Sequence, residues 1–341
     1  MMTLGVIGYG YWGPNLVRNF AELPNAKVGF VSDLRPDRLA RVTARYPNVK
    51  VSLDHRDLLA DPAIDAVVIA TPVSSHVALA LEAMRAGKHV LVEKPLASSV
   101  ADAERLIGEA AARRLVLMVD HTFAYTGAVR KMRELVEAGE LGEVYYYDSV
   151  RINLGLFQRD VNVLWDLAVH DLSIMDFVLG RYPTMVSATG VAHVPGEHED
   201  TAYMTMFFED RLIGHLHVNW LSPVKVRRTI LGASRKMVLF DDLETSDKVK
   251  VYDRGISLNP SPESVYQMLV GYRAGDMWSP QLGVGEALYA EAAHFVDCVE
   301  RGRTPDTDGE AGLRVVRLLE AATASLRHQG RPVSVATGAL V

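Results

Sequence analysis

A single cysteine, Cys298, stands among 341 residues. It excludes an intramolecular disulfide and fits a reducing compartment. No apolar run approaches the length needed to span a bilayer. No basic cluster is present and the formal charge is −6, which argues against nucleic acid as a partner. No signal precedes the first apolar strand, because Met1-Met2-Thr3 leads straight into it. The expectation is a cytoplasmic protein with neither a membrane nor a nucleic-acid partner. A hydrophobic fraction of 49% and a charged fraction of 23% are those of a globular chain. The length suits two domains better than one core.

Against these absences, Gly5-Val6-Ile7-Gly8-Tyr9-Gly10-Tyr11-Trp12-Gly13 carries the most information. A Gly-x-Gly-x-x-Gly turn follows an apolar strand, Leu4–Ile7, and precedes an amphipathic run with Leu16, Val17 and Phe20 on one face. A dinucleotide diphosphate needs that order. Gly8 permits the tight turn, Gly10 the approach of backbone to phosphate, and Gly13 close packing of helix on strand. The helix N-terminus adds N–H donors and partial positive charge. A second strand ends at Ser32-Asp33, and Asp33 lies twenty residues past Gly13, where a ribose-binding carboxylate is expected. Asp33 also suits a helix N-cap. A carboxylate there favours NAD, with NADP left open by Arg35 and Arg38; Leu34 and Arg38 join the expected cofactor contacts.

Apolar runs at Leu4–Ile7, Val28–Val31, Ala66–Ala70, His89–Val92 and Leu115–Val119 alternate with helical patterns at Gly13–Leu23, Arg35–Tyr46, Ser75–Ala86 and Val100–Arg113. The alternation predicts a doubly wound parallel α/β sheet over residues 1–121, with a short helix at Asp54–Leu59. From residue 122 to 341 the pattern predicts a second α/β domain with an open, mostly antiparallel sheet. Its strands are expected at Val144–Asn153, Met185–His193, Ala202–Phe208, Ile213–Trp220, Val226–Gly232 and Lys236–Asp241. Its helices are expected at Gly127–Ala138, Gly285–Arg301 and Gly309–Gln329, and its loops at Asn259–Pro262 and Gly271–Pro280.

Three further constellations carry chemistry. Ala70-Thr71-Pro72, with His76 following, ends a parallel strand where ligand crevices form; His76 is also compatible with a solvated helix position. Glu93-Lys94-Pro95 puts a lysine at the same edge, suited to proton exchange with a substrate hydroxyl or to a surface ion pair. Asp166 and His170 are four apart, sharing one face if helical. A carboxylate beside an imidazole orients it and raises its basicity for proton transfer; a helix cap with a packed histidine is the alternative. His215 and His217 alternate on one strand without a third ligand, so no metal is expected.

In this order the constellations resemble the Gfo/Idh/MocA family of oxidoreductases, across nearly the whole chain. The resemblance rests on Gly8 to Gly13, Ala70-Thr71-Pro72 with His76, Glu93-Lys94-Pro95, and Asp166 with His170. It implies a Rossmann domain followed by a substrate and oligomer domain. It makes Lys94, Asp166 and His170 the catalytic residues of hydride transfer between a nicotinamide and a sugar hydroxyl or keto carbon. It implies cofactor contacts from Gly8, Tyr9, Gly10, Tyr11, Trp12, Gly13, Ala70, Thr71, Pro72, His76, Glu93 and Lys94, and a homodimer or homotetramer. The Gly-Tyr-Trp-Gly-Pro-Asn turn and Arg151-Ile152-Asn153-Leu154-Gly155 resemble members acting on nucleotide-sugars, commonly at C3. Inositol dehydrogenase, aldose oxidoreductase and a non-catalytic NAD sensor are the alternatives, and Lys94, Asp166 and His170 count against the last. His121, Arg151, Asn153 and Asn162 are the expected substrate contacts, with an exposed salt bridge as the other role open to Arg151.

Overall fold

The computed structural model describes residues 1–155, 161–194, 198–258, 270–336 and 338. By packing, the chain divides into two compact units, Met1–Thr126 with Gly285–Glu320, and Gly127–Val284 with Ala321–Val341. The expected division at residue 121 differs from this, because residues 285–320 pack with the first unit.

Six parallel strands form the first unit's sheet: β1 (Met2–Ile7), β2 (Ala26–Ser32), β3 (Lys50–Ser52), β4 (Ala66–Ile69), β5 (His89–Glu93) and β6 (Leu117–Asp120), in the order β3-β2-β1-β4-β5-β6. The order reverses between β1 and β4, and ligands of such sheets bind beyond the carboxyl ends at that point. β1, β4 and β6 are buried along their whole length, as expected of strands covered on both faces. The helices α1 (Gly13–Ala21), α2 (Pro36–Arg45), α3 (His55–Ala60), α4 (Val73–Arg85) and α5 (Val100–Arg113) connect them. Local chemistry sets their ends. Pro14 opens the first turn of α1, Asp54 caps α3 through the Arg56 N–H, and Ser99 caps α5 through the Asp102 N–H.

A late helix, α8 (Ala287–Arg301), lies against α1 in the same unit. Its buried stripe of Leu288, Glu291, Ala292, Phe295 and Val296 has helical spacing, and Phe295 meets the Phe20 ring edge-on at 6.2 Å. One charged residue, Glu291, interrupts that apolar stripe.

Nine strands, among them β13 (Val249–Tyr252), β16 (Met277–Trp278) and β17 (Val333–Ser334), form the second unit's sheet in the order β16-β13-β12-β11-β7-β10-β9-β8-β17. Its central strands are β7 (Val144–Leu154), β9 (Thr201–Phe207), β10 (Ile213–Asn219) and β11 (Leu221–Ala233), flanked by β8 (Met185–Val191) and β12 (Met237–Asp241). All pairs are antiparallel except β7 with β10. That pair is joined through α7 (Val169–Leu179) and two strands, the long crossover a parallel pair requires. One face is covered: Ala202, Met204, Met206, Leu216 and Val218 are buried, while Tyr203 and Ile213 on alternate positions are exposed. α6 (Gly127–Glu137) and the end of α9 (Gly309–Arg327) complete the unit's helices.

One expectation changes here. Part of the predicted loop Gly271–Pro280 is strand, with β15 (Val270–Arg273) pairing β14 (Gly255–Leu258), and β16 (Met277–Trp278) pairing β13 (Val249–Tyr252). The predicted loop at 259–262 lies outside the described residues. Among the described residues no helix is long and apolar enough to cross a membrane.

The glycine that opens α1 has no room for a side chain: a Cβ on Gly13 would stand 2.2 Å from the Gly8 carbonyl oxygen. Gly13→Ala is therefore expected to cost about 1–3 kcal/mol by overpacking, read as a lower urea midpoint, with weaker dinucleotide binding. An unchanged midpoint would mean that the turn relaxes around a methyl group.

Candidate active site

The chain leaves β1 through Gly8, whose φ is 97°. A Cβ there would approach the Ala70 carbonyl oxygen, just past β4, to 2.4 Å. Glycine alone suits both the backbone angle and the approach. The nearest neighbour to a Cβ on Gly10 is instead the Arg38 guanidinium, 3.5 Å away, so this glycine is not required by packing. Trp12 precedes α1 without a side-chain cap; Pro14 has no N–H and the Asn15 N–H donates to the Trp12 carbonyl, so the Gly13 N–H is the first-turn donor left for an anion. This cradle fits a dinucleotide diphosphate.

Asp33 follows β2 and is buried. Its carboxylate accepts the Tyr9 N–H at 2.7 Å and the Arg35 N–H at 2.9 Å, with the Arg38 guanidinium at 3.2 Å. It therefore ties the end of β2 to the glycine turn, and Arg38 stands beside both. Leu34 and Tyr11 are exposed, whereas Tyr9 is buried with Arg41 over its ring at 6.0 Å. Tyr9 thus packs into the unit and lends the turn its backbone.

His76, on α4, is buried. Its Nε2 lies 2.9 Å from the Thr71 carbonyl oxygen and its Nδ1 2.9 Å from that of Pro95. Carbonyl oxygens only accept, so both nitrogens stand where an N–H is wanted. His76 joins the Thr71-Pro72 turn to the Glu93-Lys94-Pro95 turn and thereby positions Lys94. The Lys94 N–H itself donates to Glu93 Oε2 at 3.0 Å.

Beside Lys94 lies a group of three carboxyls that the sequence expectation did not assemble. Glu93 and Asp120 are register partners on β5 and β6. Asp120 accepts the Trp12 indole N–H at 3.0 Å and the Thr122 hydroxyl at 2.5 Å. Glu291 comes from α8 and is fully buried. Burial first, and Asp120 second, push the Glu93 and Glu291 carboxyls well above the usual carboxylate range. Glu93 as a residue keeps some exposed area, but its carboxyl is enclosed. His121, next along, is buried with both ring nitrogens lacking a hydrogen-bond partner. Burial pushes its imidazole down to about 4, so it is neutral and can donate from one nitrogen and accept at the other. A sequence signal for Glu291 did exist: a glutamate at a core-facing position of an apolar helical stripe.

In the second unit, Asp166 lies on a π-turn, Leu164–Ala168, that runs into α7, where His170 sits. The expected uninterrupted α-helical spacing of the two is thus replaced by a π-to-α junction. Asp166 Oδ2 accepts the indole N–H of buried Trp220 at 3.0 Å, which fixes the carboxylate. π-Turns recur at functional sites. Asn162 caps this junction: its side-chain oxygen accepts the Leu164 and Trp165 N–H groups at 3.2 and 3.3 Å, and its amide donates to Glu199.

Arg151, expected to meet substrate or to form an exposed salt bridge, is only 3% exposed and pairs with equally buried Asp171, Nε to Oδ2 at 2.7 Å. Ser149 also donates to Asp171, at 2.7 Å. Asn153 lies two residues further along β7, with its side-chain oxygen buried and unpartnered. His215 and His217 share the open face, where Tyr203 stacks on His217 at 4.5 Å. Among the described residues no group of three or more His, Cys, Asp or Glu could hold a metal ion.

Removing one member of a buried pair leaves the other charge uncompensated. Arg151→Met should cost about 3–5 kcal/mol in urea unfolding, and adding Asp171→Leu should recover most of it. A stable single variant with a raised substrate KM would instead make Arg151 a substrate contact.

Two family models match. The oxidoreductase family's NAD-binding Rossmann fold matches residues 2–121, and its C-terminal alpha/beta domain matches residues 133–335. A UDP-N-acetylglucosamine 3-dehydrogenase of Acidithiobacillus ferrooxidans is 31% identical over 92% of this chain and 94% of its own. A solved structure of that organism's enzyme superposes with a TM-score of 0.80 at 27% identity, covering 96% of this chain and 98% of the other. A myo-inositol 2-dehydrogenase of Thermotoga maritima is 25% identical over 96% of this chain and 97% of its own. With its parallel sheet, glycine turn and second, mostly antiparallel sheet, the chain belongs to the Gfo/Idh/MocA family of NAD-binding oxidoreductases.

Proposed function

We propose that the protein transfers hydride between a nicotinamide dinucleotide and a hydroxyl or keto carbon of a sugar, with a nucleotide-sugar or related hexose reacting at C3. The observation that carries the reading is the 31% identity, over 92% of the chain, to a UDP-N-acetylglucosamine 3-dehydrogenase. Inositol oxidation is the second reading, favoured by the 25% identity to a myo-inositol 2-dehydrogenase.

In this proposal His170 takes the hydroxyl proton during oxidation and returns it during reduction. Asp166, anchored by Trp220, orients and tunes it. Lys94 holds the reacting oxygen and assists the proton transfer. When bound, the dinucleotide supplies the hydride acceptor or donor, and the protein supplies alignment. The backbone from Gly8 to Gly13 would hold the diphosphate, Asp33 with Leu34 and Arg38 the ribose, and Ala70, Thr71, Pro72 and Glu93 the nicotinamide half. Asp33 favours NAD by accepting from ribose hydroxyls and repelling a 2′-phosphate, while Arg38 at 3.2 Å makes NADP the second cofactor. His121 and Asn153, with unpartnered buried atoms, are the better supported substrate contacts, because Arg151 and Asn162 are committed within the fold. We place the protein in the cytoplasm as a homodimer or homotetramer, with the open sheet face around Tyr146, Tyr203 and Ile213 as the surface between copies.

The experiment is an absorbance screen at the NADH band with nucleotide-sugars, free hexoses and inositols. Turnover with UDP-N-acetylglucosamine or a similar nucleotide-sugar is expected. Turnover confined to inositols would select the second reading, and NADH binding without turnover on any polyol, sugar or keto sugar would contradict both. Lys94→Ala should lower kcat by about a hundredfold or more while leaving NADH affinity nearly intact; loss of NADH binding would contradict its assignment. Asp33→Ala should relax the preference for NADH over NADPH, read as the ratio of dissociation constants, and an unchanged ratio would place ribose recognition elsewhere.

A further inference from the structure

Glu291 is the one charged residue in the buried stripe of α8, and it has no exposed area. Neither of its oxygens receives a well-formed hydrogen bond. The neighbouring Thr122 hydroxyl is committed to Asp120 at 2.5 Å. A carboxylate buried without donors is costly, whereas a carboxylic acid in the same place has an O–H to give. Its acceptor is at hand, because Asp120 is its carboxyl neighbour. Asp120 in turn accepts the indole N–H of Trp12, which belongs to the glycine turn.

We propose that Glu291 is a positioning residue for the dinucleotide turn: as the neutral acid it donates a hydrogen bond to Asp120, and Asp120 holds the Trp12 indole and with it the start of α1. The chain of contacts runs from a late helix, through the end of β6, to the phosphate-binding turn, and uses no residue that touches the reacting carbon. The proposal rests on the turn's being the dinucleotide site.

The surroundings set the sign of the pH dependence. Facing or flanking Glu291 are Glu93 and Lys94 from β5 and its end, and Asp120, His121 and Thr122 from β6 and its end. Arg18 of α1 is occupied with Glu286, just before α8, and Arg314 of α9 acts on His121. Burial and the two acidic neighbours hold the proton on Glu291 well above the usual carboxylate range. The folded protein therefore keeps a proton that the unfolded chain releases. The associated stability is fully present below the ordinary carboxylate range and is lost as pH rises through the raised value. Above that value a second negative charge beside Asp120 loosens the Trp12 anchor.

NADH titrations of the full-length protein from about pH 5, just above the ordinary carboxylate range, to about pH 9.5 test this. Wild-type affinity should fall at least about fivefold across that range, while Glu291→Gln, which keeps a donor and cannot ionise, should stay within about twofold of its neutral value. Glu291→Leu removes the donor and should weaken NADH binding about tenfold at neutral pH; combined with Trp12→Phe it should weaken binding no further than Trp12→Phe does alone. An alkaline fall in Glu291→Gln equal to wild type, or additive losses in the double variant, would overturn the proposal. A wild type that binds neither NADH nor NADPH would overturn the cofactor reading and this proposal with it.

Discussion

A Cβ on Gly13 would stand 2.2 Å from the Gly8 carbonyl oxygen, and one on Gly8 would stand 2.4 Å from that of Ala70. These two approaches bring the start of α1 and the ends of β1 and β4 together without side chains between them. The rest of the first unit depends on that closeness. Because these contacts are backbone on backbone, the groups that hold the turn must come from around it. Asp33 grips it from β2 through the Tyr9 N–H, and Asp120 grips it from β6 through the Trp12 indole. A phosphate-binding loop must be bare in order to admit its ligand and must also be held still. Here the two requirements are met by different residues.

The same division recurs in the second unit. Asp166 is fixed by Trp220 on a π-turn, and Asn162 caps that turn with its own side chain. Polar residues beside the candidate catalytic group are thus spent on holding it. Arg151 and Asp171 satisfy one another deeper in the covered face of the sheet. A charge placed near a site is not thereby free for substrate, and burial is what separates the two cases.

Much of the first unit was legible in the sequence because its strands are buried on both faces and its helices have a clean apolar period. The glycine turn, Asp33 and the Glu93-Lys94-Pro95 turn fall where the period changes from strand to helix, so their placement at the carboxyl edge followed. β3 escaped because Lys50–Ser52 is three residues long and only partly buried. The grouping of residues 285–320 with the first unit depends on contacts such as Phe20 with Phe295, which local pattern does not carry. The π-turn has no local signature either: Asp166 and His170 keep their spacing in sequence whether the backbone is α or π. Glu291 was legible in part, as an acid on an apolar stripe, but its partners come from β5 and β6, nearly two hundred residues earlier. That Arg151 pairs with Asp171 and that Asn162 caps the π-turn was not legible for the same reason, since residue type and proximity in sequence do not reveal which polar atoms are already paired.

The central claim is that hydride passes directly between the nicotinamide and C3 of a sugar. It is tested most directly by incubating the protein and NAD with UDP-N-acetylglucosamine carrying deuterium at C3 and measuring the mass of the reduced cofactor. Deuterium recovered in the dihydronicotinamide ring is the predicted result. Reduced cofactor without deuterium would place the reaction at another carbon and contradict the account.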